Sequence, residues 1–269
     1  MARLTLVKVG GKIVEEAASL AALLDRFARI DGPKLLVHGG GRSATRLAER
    51  LGQPQTMVGG RRVTDADTLD VVTMVYGGLV NKQIVAALQA RGLNAMGLTG
   101  ADMDVIRSRR RPPVSVADAE GQRMVDYGYV GDVERVDASL LADLIARGVV
   151  PVMAPLTHDG HGSMLNTNAD TIAGEVARAL APAMDVTLMY CFEKRGVLRD
   201  AEADDTPANV IPRITAADFP ALVAAGTVAG GMLPKLENAF AAIRSGVRCV
   251  VITRADAIDD PEAGTVLLP

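Results

Sequence analysis

Leu4-Thr5-Leu6-Val7-Lys8-Val9-Gly10-Gly11 and, further on, Leu35-Leu36-Val37-His38-Gly39-Gly40-Gly41 each run an apolar strand straight into glycine. Glycine lets backbone N–H groups approach an anion with no Cβ in the way. Each turn is followed by an amphipathic stretch whose helical N-terminus favours negative charge. The first strand also carries a cation, Lys8, so the pair of turns points to a phosphate site near the N-terminus. Such turns also serve as plain strand-to-helix connections, and neither fits G-x-G-x-x-G; no G-x-x-x-x-G-K-[ST] occurs either.

Outward from these turns, strand-like and helix-like segments alternate, the pattern of α/β layering around a mainly parallel sheet. Arg42 to Leu51 reads as an amphipathic helix, Thr68 to Arg91 as a long one ending at Gly92, and Asn94 to Leu98 as a short buried strand. From Asp104 to Val136 polar alternation with Pro112, Pro113, Gly121, Gly128 and Gly131 predicts antiparallel hairpins, an insert over an edge of the sheet. Helix then follows at Ala138 to Arg147, Asp170 to Leu180, Ala216 to Ala225 and Lys235 to Ser245. Strands are expected at Val149 to Ala154, Asp185 to Cys191 and Arg248 to Thr253, and the acid- and alanine-rich stretch Asp200 to Asn209 as a surface loop.

The 269 residues, 49% hydrophobic and 23% charged, suffice for one large domain or two modest ones. A net charge of −3 argues against a nucleic-acid partner, and Arg107 to Arg111 before two prolines reads as a solvated loop. Cys191 and Cys249 lie in apolar strands outside any C-x-x-C or His/Cys cluster, which points to a reducing, cytoplasmic compartment. The first residues lack a secretory pattern, and no apolar run approaches the ~20 residues of a membrane span.

Three polar constellations follow. Leu165-Asn166-Thr167-Asn168-Ala169-Asp170 gathers two amides and a carboxylate at a helix entry, where capping alone would also explain them. Gly230-Gly231-Met232-Leu233-Pro234-Lys235 delivers a lysine into a first helical turn, with Pro234 expected at the helix start; the macrodipole disfavours a cation there, so its presence suggests phosphate. Gly59-Gly60-Arg61-Arg62-Val63-Thr64-Asp65 offers guanidinium groups suited to a carboxylate, or a loop with a cap at Thr64 or Asp65. Thr157-His158-Asp159-Gly160-His161 reads as a hairpin turn rather than a zinc pair, and no metal-ligand set is assigned.

Taken in order, V-K-V-G-G-K (7–12), H-G-G-G (38–41), G-G-R-R-V-T-D (59–65), N-T-N-A-D (166–170) and G-G-M-L-P-K (230–235) resemble the amino acid kinase family over nearly the whole chain. The segment Val125 to Val133 resembles a β-hairpin of that family. The resemblance implies an open αβα three-layer sandwich with a central, mostly parallel sheet, in one domain spanning 1–269. Its N-terminal half (1–170) would bind an acyl amino acid and its C-terminal half (171–269) ATP with Mg²⁺. The implied reaction moves the γ-phosphoryl of ATP to the γ-carboxylate of N-acetyl-L-glutamate, in arginine biosynthesis. N-succinylglutamate, an aminoadipate derivative, or a role as a catalytically dead sensor are the alternatives; a dead member would lack Lys8, Asp170 or Lys235.

Carried over position by position, Lys8 and Lys235 would stabilise the phosphoryl charge from opposite sides and Asp170 would orient both. Gly10, Gly11, Gly40 and Gly41 would hold phosphate or substrate oxygens through N–H groups, and Arg62 and Asn166 the carboxylates of the amino acid. Where the family has a short Asp-Val-x-Gly loop, this chain has the longer Tyr190 to Val197 without the aspartate, leaving Lys194 as the candidate nucleotide contact. Arginine-inhibited members carry an N-terminal helical extension; a first strand near Leu4 implies a homodimer insensitive to arginine.

Overall fold

The computed structural model describes residues 1–118, 121–200, 202–260 and 262–269. Ala201, in the expected surface loop, and residues 119–120 of the polar insert lie outside the described residues. In chain order, β1 (Ala2–Val9) leads into α1 (Gly11–Glu15) and α2 (Ala17–Arg29), then β2 (Lys34–His38), α3 (Gly41–Arg50) and the short hairpin β3 (Met57–Val58) and β4 (Arg61–Arg62). One continuous helix follows as α4 (Ala66–Val72), a π-helical stretch over Thr73–Val80 and α5 (Asn81–Gln89). After β5 (Ala95–Leu98) come β6 (Ile106–Arg110), β7 (Val114–Asp118), β8 (Gly121–Val125) and β9 (Gly131–Val136). The chain continues through α6 (Ala138–Ala146), β10 (Val150–Met153), β11 (Leu156–His158), β12 (Met164–Asn166), α7 (Ala169–Leu180) and β13 (Met184–Phe192). It ends with β14 (Arg213–Thr215), α8 (Phe219–Ala224), α9 (Met232–Arg244), β15 (Cys249–Arg254) and β16 (Thr265–Leu268).

Among the described residues the main sheet has eight strands in the order β14-β16-β15-β13-β1-β2-β10-β5. It is parallel throughout except where β15 meets β16 antiparallel. Helices cover both faces, because each central strand alternates apolar residues between two cores. Leu4, Leu6, Leu35 and Val37 face α7 and α9 with Val176, Leu236 and Phe240, while Val7, Val9 and Leu36 face the other layer with Leu24, Phe27 and Ile84. Lys8 follows Leu4 and Leu6 on the α7/α9 side.

The polar insert forms a second sheet, β12-β11-β6-β9, continuing from the ends of β5 and β10, with β7-β8 as a separate hairpin. Arg107 to Arg111 is not the expected loop. Arg107 to Arg110 lie in β6, paired with β9, and the guanidinium groups find carboxylates: Arg107 on Asp104 at 2.6 Å, Arg110 on Asp126 at 3.2 Å, Arg111 on Asp132 at 2.5 Å. Strand pairing satisfied the backbone and local acids took the charge, neither of which a run of arginines announces.

Contrary to the expectation from sequence, one helical stretch reaches membrane length. The helix Ala66–Gln89 is long and apolar enough to cross a bilayer by length and composition. Its Val71, Val72, Val75, Val80, Ile84 and Leu88 are nevertheless buried in the protein core, as expected of a core helix.

Candidate active site

Register brings the two glycine turns together. Val9 pairs with His38 on one side and Cys191 on the other, so Gly10, Gly39 and Phe192 leave the sheet at one level. From β1 the chain passes to β2 on one side, while β13 returns on the other. This is the topological switch point at which open α/β sheets form their crevice, at the carboxyl ends of the strands.

A cavity of about 410 Å³ opens there, lined by Gly10, Gly11, Gly39, Gly40, Gly41, Arg62 and Asn166 among others. The helices that start at it are α1 behind Gly10 and α3 behind Gly40, neither capped by a side chain nor carrying an acidic residue in its first turn. The same holds for α9 behind Gly231. Helices α4, α6 and α7, by contrast, are capped by Asp65, Asp137 and Asn168. Free N–H groups at a helix start are anion donors, and here they are left open where the strands end.

Beside the glycine turns, on the α7/α9 face of the sheet, Lys8 is 7% exposed and its Nζ lies 2.7 Å from Asp170 Oδ1. The Asn168 side chain accepts from the Asp170 and Thr171 N–H groups, so the cap and the carboxylate are set by one helix entry. Lys235 stands in the first turn of α9, whose start is Met232; Pro234 is therefore the third helical residue, not the first as expected from sequence. Among the described residues Lys235 joins no ion pair. It feels Asp170 as a nearby charge but sits over the Phe192 ring at 3.9 Å, so Asp170 pairs with one lysine rather than orienting both. Burial, with Lys8 as a like charge and Asp170 opposing, pulls Lys235 below the usual lysine range.

Phe192 escaped the sequence reading. Its ring has Lys235 on it and Lys8 at 5.7 Å, and stacks near Tyr190 with centroids 6.1 Å apart. An aromatic face holds two ammonium groups near one point without neutralising either. An apolar residue at a strand end gives no signal of that from sequence alone.

Across the cavity Arg62 is 8% exposed and donates to the Gly41 carbonyl at 2.8 Å, to Thr45 Oγ1 at 2.9 Å and to the Gln55 side-chain carbonyl. Every one of these acceptors is neutral, and among the described residues Arg62 meets no carboxylate. A buried guanidinium held in place but left uncompensated is suited to an incoming anion. Asn166 donates from Nδ2 to Thr64 Oγ1 at 3.0 Å, which ties β12 to the Arg62 strand. Lys194 is exposed at the bend after β13 and does not line the cavity; its neighbour Glu193 does, paired with Lys12 at 2.9 Å.

The cavity-lining Cys191 is fully buried, and burial pushes its thiol up to about 12, against the pull of Lys8. A thiol held in its protonated form is a poor nucleophile.

Residues 3–253 match the amino acid kinase family. The chain belongs to the amino acid kinase family. It is 67% identical over 260 residues to an acetylglutamate kinase of Bacteroides thetaiotaomicron, covering 97% of this chain and 96% of that one. Its fold is shared with a crystal structure of N-acetylglutamate synthase from Neisseria gonorrhoeae, with a TM-score of 0.78 at 22% identity, over 99% of this chain and 59% of the synthase. Carbamate kinase from Giardia lamblia bound to AMP-PNP superimposes with a TM-score of 0.71 at 14% identity, over 99% of this chain and 98% of that one. This amino acid kinase thus keeps the three-layer sandwich expected from its motifs.

Proposed function

We propose that this kinase transfers the γ-phosphoryl group of ATP to the γ-carboxylate of N-acetyl-L-glutamate, giving N-acetyl-L-glutamyl 5-phosphate in arginine biosynthesis. One observation carries the reading: Lys8, paired with Asp170, and Lys235, which joins no ion pair among the described residues, meet at the strand end where the uncapped glycine turns open. The name borne by the 67% identical relative supplies the acceptor.

The chemistry needs no general base. A carboxylate is already ionised at neutral pH, and the task is to bring two anions together and neutralise the charge that spreads over the transferring group. In this reading Lys8 and Lys235 face that charge together from beside Phe192, and Asp170 keeps Lys8 in place. The N–H groups of Gly10, Gly11, Gly40 and Gly41 receive phosphoryl and acceptor oxygens. Arg62 and Asn166 take the α-carboxylate end of the acyl amino acid.

The first half of the chain (1–170), which supplies β1, β2, β10 and β5, would hold the acyl amino acid. The second half (171–269), with β13, β15, β16 and β14, would hold ATP, with Lys194 at the rim as a nucleotide contact. Mg²⁺ would travel with ATP on phosphate oxygens and water. A homodimer is supported by exposed Met74 and Leu79 on the long helix and Met96 on the edge strand β5. The two unpaired cysteines, both buried, favour a cytoplasmic setting.

A hydroxylamine trap for acyl phosphate, run with MgATP and acetyl-, succinyl- and free glutamate, aspartate and aminoadipate, tests the reaction. Hydroxamate from N-acetylglutamate well above free glutamate is expected; none from any N-acylglutamate overturns the reading. Arg42 and Arg61 also line the cavity and, among the described residues, join no ion pair. That surplus of cations favours, as a second reading, an acyl group with a carboxylate of its own, such as N-succinylglutamate.

A further inference from the structure

Beneath the Gly39-Gly40-Gly41 turn lies a polar chain that the proposed reaction does not use. His38 is 0% exposed and its Nδ1 lies 2.7 Å from the Gly39 carbonyl, an atom that can only accept. Nδ1 therefore carries the proton, and the neutral ring accepts at Nε2 from Asn81 Nδ2 at 3.1 Å. Asn81, also 0% exposed, gives its second N–H to the Val152 carbonyl at 2.9 Å and accepts at Oδ1 from Lys82 at 3.1 Å. Three elements of the fold, β2, β10 and the long helix, are joined through one amide.

Five residues earlier on the same helix, Tyr76 lies against the same turn. A Cβ placed on Gly40 would come within 2.8 Å of the Tyr76 ring, and the Tyr76 hydroxyl faces Arg62. In an α-helix, residues five apart point about 140° away from each other. A turn closed by i→i+5 bonds brings them back to one face, and Thr73–Val80 is π-helical. The geometry points to the π-helical stretch as the device that aims the acceptor-side glycine turn: it sets Tyr76 against Gly40 and, through Asn81 and His38, fixes the Gly39 carbonyl. His38, Asn81 and Tyr76 are then positioning residues, acting through the turn. With the Gly39 carbonyl held, the peptide that follows is held too, and the N–H groups of Gly40 and Gly41 keep their aim into the cavity.

This inference rests on the proposed reaction, and its test separates the two. Wild-type protein that makes no acyl phosphate overturns the reaction itself. With an active wild type, Asn81→Ala and Asn81→Asp are compared in the hydroxylamine assay between pH 5.5 and 8.5, with folding followed by thermal melting. A misplacement of the turn by an ångström lowers kcat by about 100-fold, so Asn81→Ala is expected to fall by about 10- to 100-fold with a smaller change in KM for ATP.

The aspartate variant carries the sharper readout. Its carboxylate prefers an Nε2–H, which leaves Nδ1 bare against the Gly39 carbonyl when the ring is neutral. A protonated ring satisfies both, with Lys82 the charged group that opposes protonation. Asn81→Asp should therefore regain activity over Asn81→Ala as pH falls, a trend that simple loss of packing does not produce. Folded variants with kcat within about twofold of wild type, or with identical pH profiles, overturn the inference. Should neither variant fold, ¹⁵N spectra of the wild-type imidazoles decide. A protein with three histidines is assignable, and a His38 ring protonated on Nε2 rather than Nδ1 overturns it, whereas an Nδ1–H resonance that moves on adding N-acetylglutamate supports it.

Discussion

At the residue scale the site depends on cations kept unneutralised. Lys8 has one carboxylate and Lys235 an aromatic face, so their combined charge exceeds that of Asp170 and is available to an anion. Lys8→Ala and Lys235→Ala are each expected to lower kcat by at least about 100-fold with a smaller change in KM, since charge spreads on the phosphoryl group only in transit. Hydroxamate formation under saturating substrate measures this. Because burial lowers the pKa of Lys235, its ammonium loses its proton at a lower pH than an ordinary lysine near 10.4, which bears on the proposed reaction. Activity should therefore fall on the alkaline side earlier than it would for an exposed lysine, and Lys235→Arg should move that limb upward in a kcat–pH profile. Arg62 acts differently. In the proposed reaction its neutral partners leave its charge for the acyl amino acid, so Arg62→Ala should chiefly raise KM for that substrate, by about 10- to 100-fold for a charge-assisted pair worth about 1.5–3 kcal/mol.

At the element scale the insert is held to the site through several contacts, among them Asn166 N–H to the Tyr129 carbonyl and a close approach at Thr64. The Thr64 N–H donates to the Tyr127 carbonyl and the Thr64 carbonyl accepts from the Tyr129 N–H, with Gly128 between them at φ 73°. A Cβ on Gly128 would run into the Thr64 carbonyl. Gly128→Ala therefore meets both strain and collision, and should lower the melting temperature while raising KM for the acyl amino acid more than for ATP, because Thr64 also anchors Asn166. Steady-state kinetics in each substrate separates the two effects. Such anchors mark what sequence patterns can carry. The glycine turns, Lys8 and Lys235 were legible because a backbone cradle tolerates no Cβ and a lysine opposing a helix dipole stands out. The β1–β2 and β13 strands were legible as apolar runs. Strands β14 and β16, at three and four residues, are too short for a period to show. The π-helical stretch, Tyr76, and the meeting of Phe192 with two lysines are products of tertiary contact, as is the strand pairing that turned an arginine run into β6.

On the scale of the whole molecule, the glycine turn and the core share a buried titratable group. The His38 ring is held down to about 4 by burial, against the Gly39 hydrogen bond and with Lys82 adding to the effect, while in the unfolded chain it titrates near 6.5. Between those values the unfolded state binds more protons, so stability rises with pH there. The contribution is fully present above about 6.5 and is lost as pH falls through the window to about 4, with an upper bound of about 3 kcal/mol. Carboxylates with depressed pKa values, such as Asp65 and Asp137 at helix caps, add acid sensitivity of their own, with the same sign but at lower pH. His38→Gln separates the contributions, because an amide keeps a donor for the Gly39 carbonyl and an acceptor for Asn81 without a titrating ring. Urea midpoints at pH 7 and pH 4.5 should fall more for the wild type than for His38→Gln. Equal losses would mean that the imidazole is protonated in the folded protein, and the chain from Asn81 to the glycine turn would then be joined differently from the one seen here.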